Sequence, residues 1–262
     1  MQKEQKRGKW LSMQMLGFEF RKTIGNPYVH IFGVGMPVLM MIVVTRAVIG
    51  QMVDEAMVSQ AETSVFLGIG ALIPMATIFM GYGISNAQEL EKGIPQRMEL
   101  FGIRESVSLC NRILSEVIFR VFAFLVYFAA GYGLADLRAP KPVGVLLYVV
   151  CILGFSVILF CFAHAISSLL RKFALTYCVT MLLYFVFMIL GGMMGITYDN
   201  MPDGVQALAD FLPVTYINRD FCMVWSGESY NFGPMLQSYL LMGALAGILM
   251  FFTVKRTARK LH

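Results

Sequence analysis

What this chain has little of is charge. Only 14% of its 262 residues are Asp, Glu, Lys or Arg, against 58% hydrophobic, whereas soluble domains carry about 25% charged residues. A mean hydropathy of +0.68 excludes a soluble globular fold. All 16 acidic residues fall outside the long apolar runs, so the mid-membrane carboxylates of proton- or sodium-driven transporters are not expected. His30, His164 and His262 lie far apart and form no i, i+4 pair, which argues against a zinc or acid–base active site. Cys110, Cys151, Cys161, Cys178 and Cys222 show no close pairing and imply no disulfide framework. A phosphate-cradling G-x-x-x-x-G-K-[ST] loop is absent, so any work on a substrate needs energy from another polypeptide.

What the chain does have is six apolar runs: 29–45, 65–84, 117–134, 143–165, 173–196 and 235–254. A hydrocarbon core of ~30 Å takes about 20 residues of helix. The expected fold is therefore an all-α polytopic membrane protein with six transmembrane helices. The first run follows a long charged segment without a small-residue cleavage site and reads as a retained span. The chain divides into an interfacial segment (1–28), spans one to five (29–196), an outer irregular segment (197–233), the sixth span (234–254) and a basic tail (255–262), with no separate soluble domain.

Lys and Arg concentrate in the cytoplasmic loops of membrane proteins. Sixteen of the 21 fall on one side if both termini are cytoplasmic, and only Arg46, Arg138, Lys141 and Arg219 fall on the other. The net charge of +5 then reports topology and contact with anionic membrane lipid. A nucleic-acid partner is not expected, because the basic residues are scattered over several loops. Arg120 lies near the cytoplasmic start of the third span and is expected to snorkel its guanidinium to the interface.

Two irregular stretches break the apolar pattern. The first, QELEKGIPQRMELFGIRES, runs from Gln88 to Ser106. Pro95 and Gly102 bracket a two-turn helix over Pro95 to Phe101. Leu90, Ile94, Met98 and Phe101 form one narrow apolar face, with Lys92, Gln96 and Glu99 opposite. Such an element is suited to insertion in a cleft of a soluble partner. The second stretch runs from Gly191 to Phe221. There Pro202 opens a helix whose face is Val205, Leu208, Ala209 and Leu212, Pro213 closes it, and a helical piece over Val214 to Trp225 follows. Tyr198, Tyr216 and Trp225 suggest that these helices dip into the outer leaflet.

The motifs ELEKGIPQRMELFGI, close to E-x-G-x-x-x-x-L, and LAD-FLPVTY after the Gly191, Gly192 and Gly195 cluster resemble the membrane subunits of type-2 ATP-binding-cassette exporters of the daunorubicin and peptide-export type. The resemblance covers nearly the whole chain. It implies that Glu91, Gly93, Pro95, Arg97, Met98, Glu99, Leu100 and Phe101 form a coupling helix docking on a cytoplasmic ATPase, which binds the ATP and magnesium. It implies that Pro202, Leu208, Leu212, Pro213 and Tyr216 belong to an outer re-entrant hairpin capping the exit, and that Lys3 to Lys22, with Trp10, is a connecting helix along the membrane. Leu11, Met15 and Phe18 lie on one stripe of that helix while Met13, Leu16 and Phe20 fall elsewhere, so its amphipathicity is imperfect.

The same resemblance implies a permease without its own ATPase, paired with a second copy or a sister permease in a bacterial cell membrane, exporting a peptide, drug or lipid by alternating access. Gly191-x-x-x-Gly195 and Gly243-x-x-x-Gly247 offer faces for close helix packing. Phe185, Phe187, Met188, Met193 and Met194 are candidates to line the path. Two other readings remain open: a self-protection permease against membrane-active peptides, and a non-transporting scaffold that recruits a cytoplasmic protein.

Overall fold

A computed structural model describes residues 12–47, 55–103, 105–194 and 198–258, and among these the secondary structure is helical with no strand. Lys3 to Leu11, including Trp10, as well as Gly195, Ile196 and residues 259–262, lie outside the described residues. Helix α1 (Met13–Ile24) comes first. Six helices long and apolar enough to cross a membrane are α2 (Pro27–Ala47), α3 (Met57–Glu91), α5 (Glu105–Leu134), α6 (Pro142–Leu170), α7 (Phe173–Leu190) and α11 (Gly233–Ala258). Short α4 (Ile94–Leu100) joins α3 to α5 at one end of the bundle, the base. At the other end, the top, α8 (Asp203–Ala209), α9 (Pro213–Arg219) and α10 (Phe221–Ser226) form a cap.

Each expected span has its helix, but the bounds differ for physical reasons. The third begins at Glu105 rather than Val117, because a helix continues through polar residues that interrupt an apolar run. The fifth stops at Leu190, short of the expected 196. Gly192 takes a left-handed φ of 73°, and the Met193 N–H turns back to the Met188 carbonyl at 3.0 Å. That is a glycine helix stop, which apolar composition does not register.

Helix α3 is the axis of the bundle: 89% of its apolar window is buried, against 33% or less for each other spanning helix. At 35 residues it reaches about 50 Å, enough to carry its last turns beyond a hydrocarbon core to the base. Pro74 lacks the N–H that a regular helix needs, and the ladder breaks at Ala71, whose N–H bonds to Gly68 O at 3.0 Å. The nearby Phe66 and Leu67 carbonyls accept the Tyr127 and Tyr148 hydroxyls, each at 2.8 Å. Beyond the break, Ala76–Gly83 is wound as a π-helix. Helix α2 has its own π-turn, Ile31–Gly35, just ahead of Pro37.

The two widened segments cross at a contact only glycine allows. A Cβ on Gly33 would lie 2.9 Å from Thr77 Cγ2, and one on Gly81 would lie 2.8 Å from Val29 Cγ2. Gly81→Val should therefore overpack this crossing at a cost of about 1–3 kcal/mol and lower the apparent melting temperature in detergent. Gly243→Ala, where nothing lies within 4 Å, should leave it unchanged.

Candidate functional site

At the base, Gly93 sits in the left-handed region (φ 66°) and turns the chain out of α3 into α4. Pro95 occupies the first turn, and Gly102 (φ 80°) ends the helix, with Ile103 N–H returning to Met98 O at 3.0 Å. The two-turn helix expected from Pro95 and Gly102 is present, one residue earlier at each end. Its expected apolar face is divided. Leu90, Ile94, Pro95 and Met98 turn inward and are half-buried. Leu100 and Phe101 are left 87% and 84% exposed, an apolar knob at the tip. Phe101 leaves the face because it is the C-cap, already turning toward Gly102.

The charged residues of the loop divide as well. Glu91 accepts the Phe173 N–H at 2.7 Å and thereby caps the start of α7. Arg97 donates to the Lys92 carbonyl at 3.3 Å, while Glu99 is exposed. Beneath α4, Pro95, Met98, Leu109, Arg112, His164 and Ser168 line a cavity of about 50 Å³, room for a few waters rather than for a cargo molecule.

Sequence reasoning missed the polar network that holds this loop to the bundle. Glu89, in the last turns of α3, forms ion pairs with both Lys22 of α1 and Arg112 of α5, the latter at 2.9 Å. Lys22 also meets Glu19 at 3.1 Å. Arg112 donates to Asn86 Oδ1 at 3.3 Å and lies over the Tyr82 ring at 4.8 Å. Asn86 in turn donates to Ser167 of α6 at 2.8 Å, and Tyr82 meets His164 of α6 at 2.6 Å. Deeper in the bundle, Thr23 donates to Glu116 at 3.3 Å and Arg120 Nε donates to Thr77 at 3.3 Å.

Glu116 and Arg120 are 6% and 8% exposed, so Arg120 turns inward instead of snorkelling, and the spanning helices do bury charge. Three cations (Lys22, Arg112, Arg120) stand with three anions (Glu19, Glu89, Glu116), which keeps the cluster near neutrality. A sequence signal existed: Arg112, Glu116 and Arg120 repeat at i, i+4, i+8 and mark one helix face.

Helix α1 lies along α5. It buries Glu19 and Thr23 against α5 and leaves Met13, Phe18 and Ile24 exposed.

At the top, Pro213 both ends α8's connection and starts α9, with Pro213 to Ile217 all buried. The helical piece expected over Val214 to Trp225 is split at Asp220 into α9 and α10. On α8, Ala209 is buried with nearby Leu212 and Tyr216, but Leu208 points outward, 58% exposed, so the expected four-residue face is broken. Tyr216 and Trp225 are packed inside the protein rather than at a lipid boundary, and Trp225 donates to Arg138 O at 3.1 Å. Phe187, Met188 and Met193 belong to the core, whereas Phe185 and Met194 are exposed. Gly191 abuts Val214 within the chain.

Arg219 joins the pieces of the cap. It pairs with Asp220 at 2.7 and 3.0 Å and lies over the rings of Tyr198 (4.3 Å) and Tyr216 (5.1 Å). These Asp220 contacts hold its guanidinium above its usual pKa. Tyr198 donates to Asp210 and Tyr230 to Asp220, each at 2.9 Å. Burial and then these carboxylates raise both phenols above their ordinary value.

Six apolar helices, one of them (α3) buried among the rest, with a knobbed loop at the base and a helical cap at the top, define a polytopic α-helical membrane protein. The family described as ABC-2 type transporter matches residues 12–225. The chain belongs to that family, as the membrane-spanning permease component of an ABC transporter. Searches among curated proteins and among solved structures give no match.

Glu89→Gln should leave Arg112 without its ion pair and Lys22 with Glu19 alone, and destabilise the fold by about 3 kcal/mol, read as a lower apparent melting temperature. The paired change Glu89→Met with Arg112→Met should lose less. A second expectation concerns alkali. A phenol whose folded pKa lies above its unfolded value of 10.0 stabilises the fold fully below pH 10 and loses that contribution as pH rises through the folded value. Melting between pH 8 and 11 should thus fall less steeply in Tyr230→Phe than in the parent.

Proposed function

We propose that this permease couples to a separate cytoplasmic ABC ATPase through the Leu100–Phe101 knob, and exports an amphipathic or hydrophobic cargo. The observation that carries the reading is the knob itself: two large apolar side chains almost fully exposed on a short helix bounded by Gly93 and Gly102, both in the left-handed region. A helix too short to move independently of α3 and α5 transmits a push on its tip to both. The ion pairs of Glu89 then extend that push to α1.

The mechanism proposed is alternating access. Two permease subunits, identical or sister chains, stand over two ATPase subunits that bind ATP and magnesium. Closure of the ATPases draws the two knobs together, tilts the spanning helices and moves cargo outward past the cap. Both termini and α4 face the cytoplasm in this reading, and the membrane is a bacterial cell membrane. The cargo class rests on the apolar outward faces of the helices. The buried charges Glu116 and Arg120 are engaged within the chain and leave that class unchanged.

Gentle purification from the native membrane, with mass spectrometry of what copurifies, tests the reading. An ATPase bearing a phosphate-binding loop should accompany the parent and be depleted at least tenfold from Leu100→Ala/Phe101→Ala at equal permease yield. A different cytoplasmic protein in its place would favour the scaffold. Stimulation of the complex's ATP hydrolysis by membrane-active peptides would favour self-protection.

A further inference from the structure

The far side of the cap is anchored by Trp225, which donates to Arg138 O at 3.1 Å and accepts from Lys141 N–H at 3.1 Å, while at the near edge one side chain reaches across to the bundle. Asn218, near the end of α9, is half-buried. Its Nδ2 donates to the Gly191 carbonyl, just past the end of α7, at 2.8 Å. Its Oδ1 fills the space beside Gly68 of α3: a Cβ there would lie 1.7 Å from Oδ1 and 3.0 Å from Asn218 Cβ. The side chain therefore occupies a notch that exists only because residue 68 is glycine. Nearby, Thr215 donates to Leu190 O at 3.3 Å and to Ala209 O at 2.8 Å. Thr215 is fully buried, however, and one of its two acceptors lies in the cap itself. Asn218 instead bridges α9 to both α3 and the end of α7, at a half-buried position that water can reach.

We propose that Asn218, seated in the Gly68 notch, is the latch that holds the cap closed, and that the cap lifts by withdrawing this side chain from between α3 and α7. The proposal rests on the reading of the cap as the exit side of the transport path. Strength and position suit a latch rather than a permanent fastening. A single neutral hydrogen bond contributes little net stability, because water replaces it when it breaks, so the contact is reversible at the energy of one ATP-driven step. The notch lies on α3, whose base carries Glu89 and the loop into α4. One continuous element thus meets the knob at one end and the latch at the other. Just below the notch the ladder of α3 is broken at Ala71, which gives the upper segment freedom to shift against the lower.

Hydrogen exchange of the peptide covering residues 213–219 tests this, since exchange reports local opening. In the purified chain, Asn218→Ala should raise exchange in that peptide about five- to tenfold, with the peptide over α4 unchanged. Gly68→Ala, which fills the notch, should do the same, and Asn218→Ala decides alone if Gly68→Ala fails to fold. In the parent bound to its copurifying ATPase, a non-hydrolysable ATP analogue should raise exchange in the same peptide toward the Asn218→Ala level. Unchanged exchange in Asn218→Ala overturns the latch. Raised exchange in Asn218→Ala with no response to nucleotide in the parent complex also overturns it, by making the contact a fixed staple. Absence of any copurifying ATPase counts against the coupling reading, while the comparison of parent and Asn218→Ala still decides whether this side chain holds the cap.

Discussion

Glu89 answering two cations at once is the contact on which the base of this protein depends. A carboxylate shared by Lys22 and Arg112 joins three segments that are far apart in sequence: the first helix, the end of the axial helix and the start of the third spanning helix. In an apolar bundle there is no hydrophobic driving force between helices beyond what lipid already offers, so packing and polar contacts select the arrangement. The charges also carry a constraint. Ions taken out of water are costly unless paired and hydrogen-bonded, and the near neutrality of the cluster is what makes its burial tolerable. Any rearrangement of the base has to move these groups together or leave one of them exposed to that cost.

The axial helix turns this constraint into a long-range one. Its regularity is interrupted at Ala71 by Pro74 and again by the π-wound stretch above Ile84. Irregular winding inside a spanning helix is tolerated where neighbouring groups satisfy the freed carbonyls, and here Tyr127, Tyr148 and Thr77 do so. The helix is therefore a chain of short rigid pieces joined at defined points. Gly33 and Gly81 let helix α2 lie close against the lower piece, and Asn218 fills the notch at Gly68 on the upper one.

Much of the architecture was legible in the sequence because bilayer thickness demands long apolar runs, and those runs are hard to mistake. The two-turn loop helix was legible too, since Pro95 and Gly102 leave the backbone few alternatives. Direction was harder to read. In a soluble protein the apolar side of a helix points inward, but next to lipid either side can. That is why Arg120 was expected at the interface and lies inside, why Met98 and Phe101 part company, and why Trp225 is packed inside rather than at the outer leaflet. The face of α5 that carries Arg112, Glu116 and Arg120 was visible as a polar stripe, yet its partners sit on α1 and α3, at separations no periodicity records. The family match covers the chain from Ser12 to Trp225 and takes in both irregular elements, α4 at the base and the cap at the top.

The buried polar face of α1 bears on how the protein is made. Thr23 and its acceptor Glu116 are 93 residues apart, and Glu19 is likewise buried against a helix that is synthesised long after it. At roughly 5–20 residues per second, the polar face of α1 waits on the order of 5–20 s before the surface that buries it has left the ribosome. During that interval the segment has to rest where water still reaches it. The first described helix thus reaches its final place only once the third spanning helix has been made.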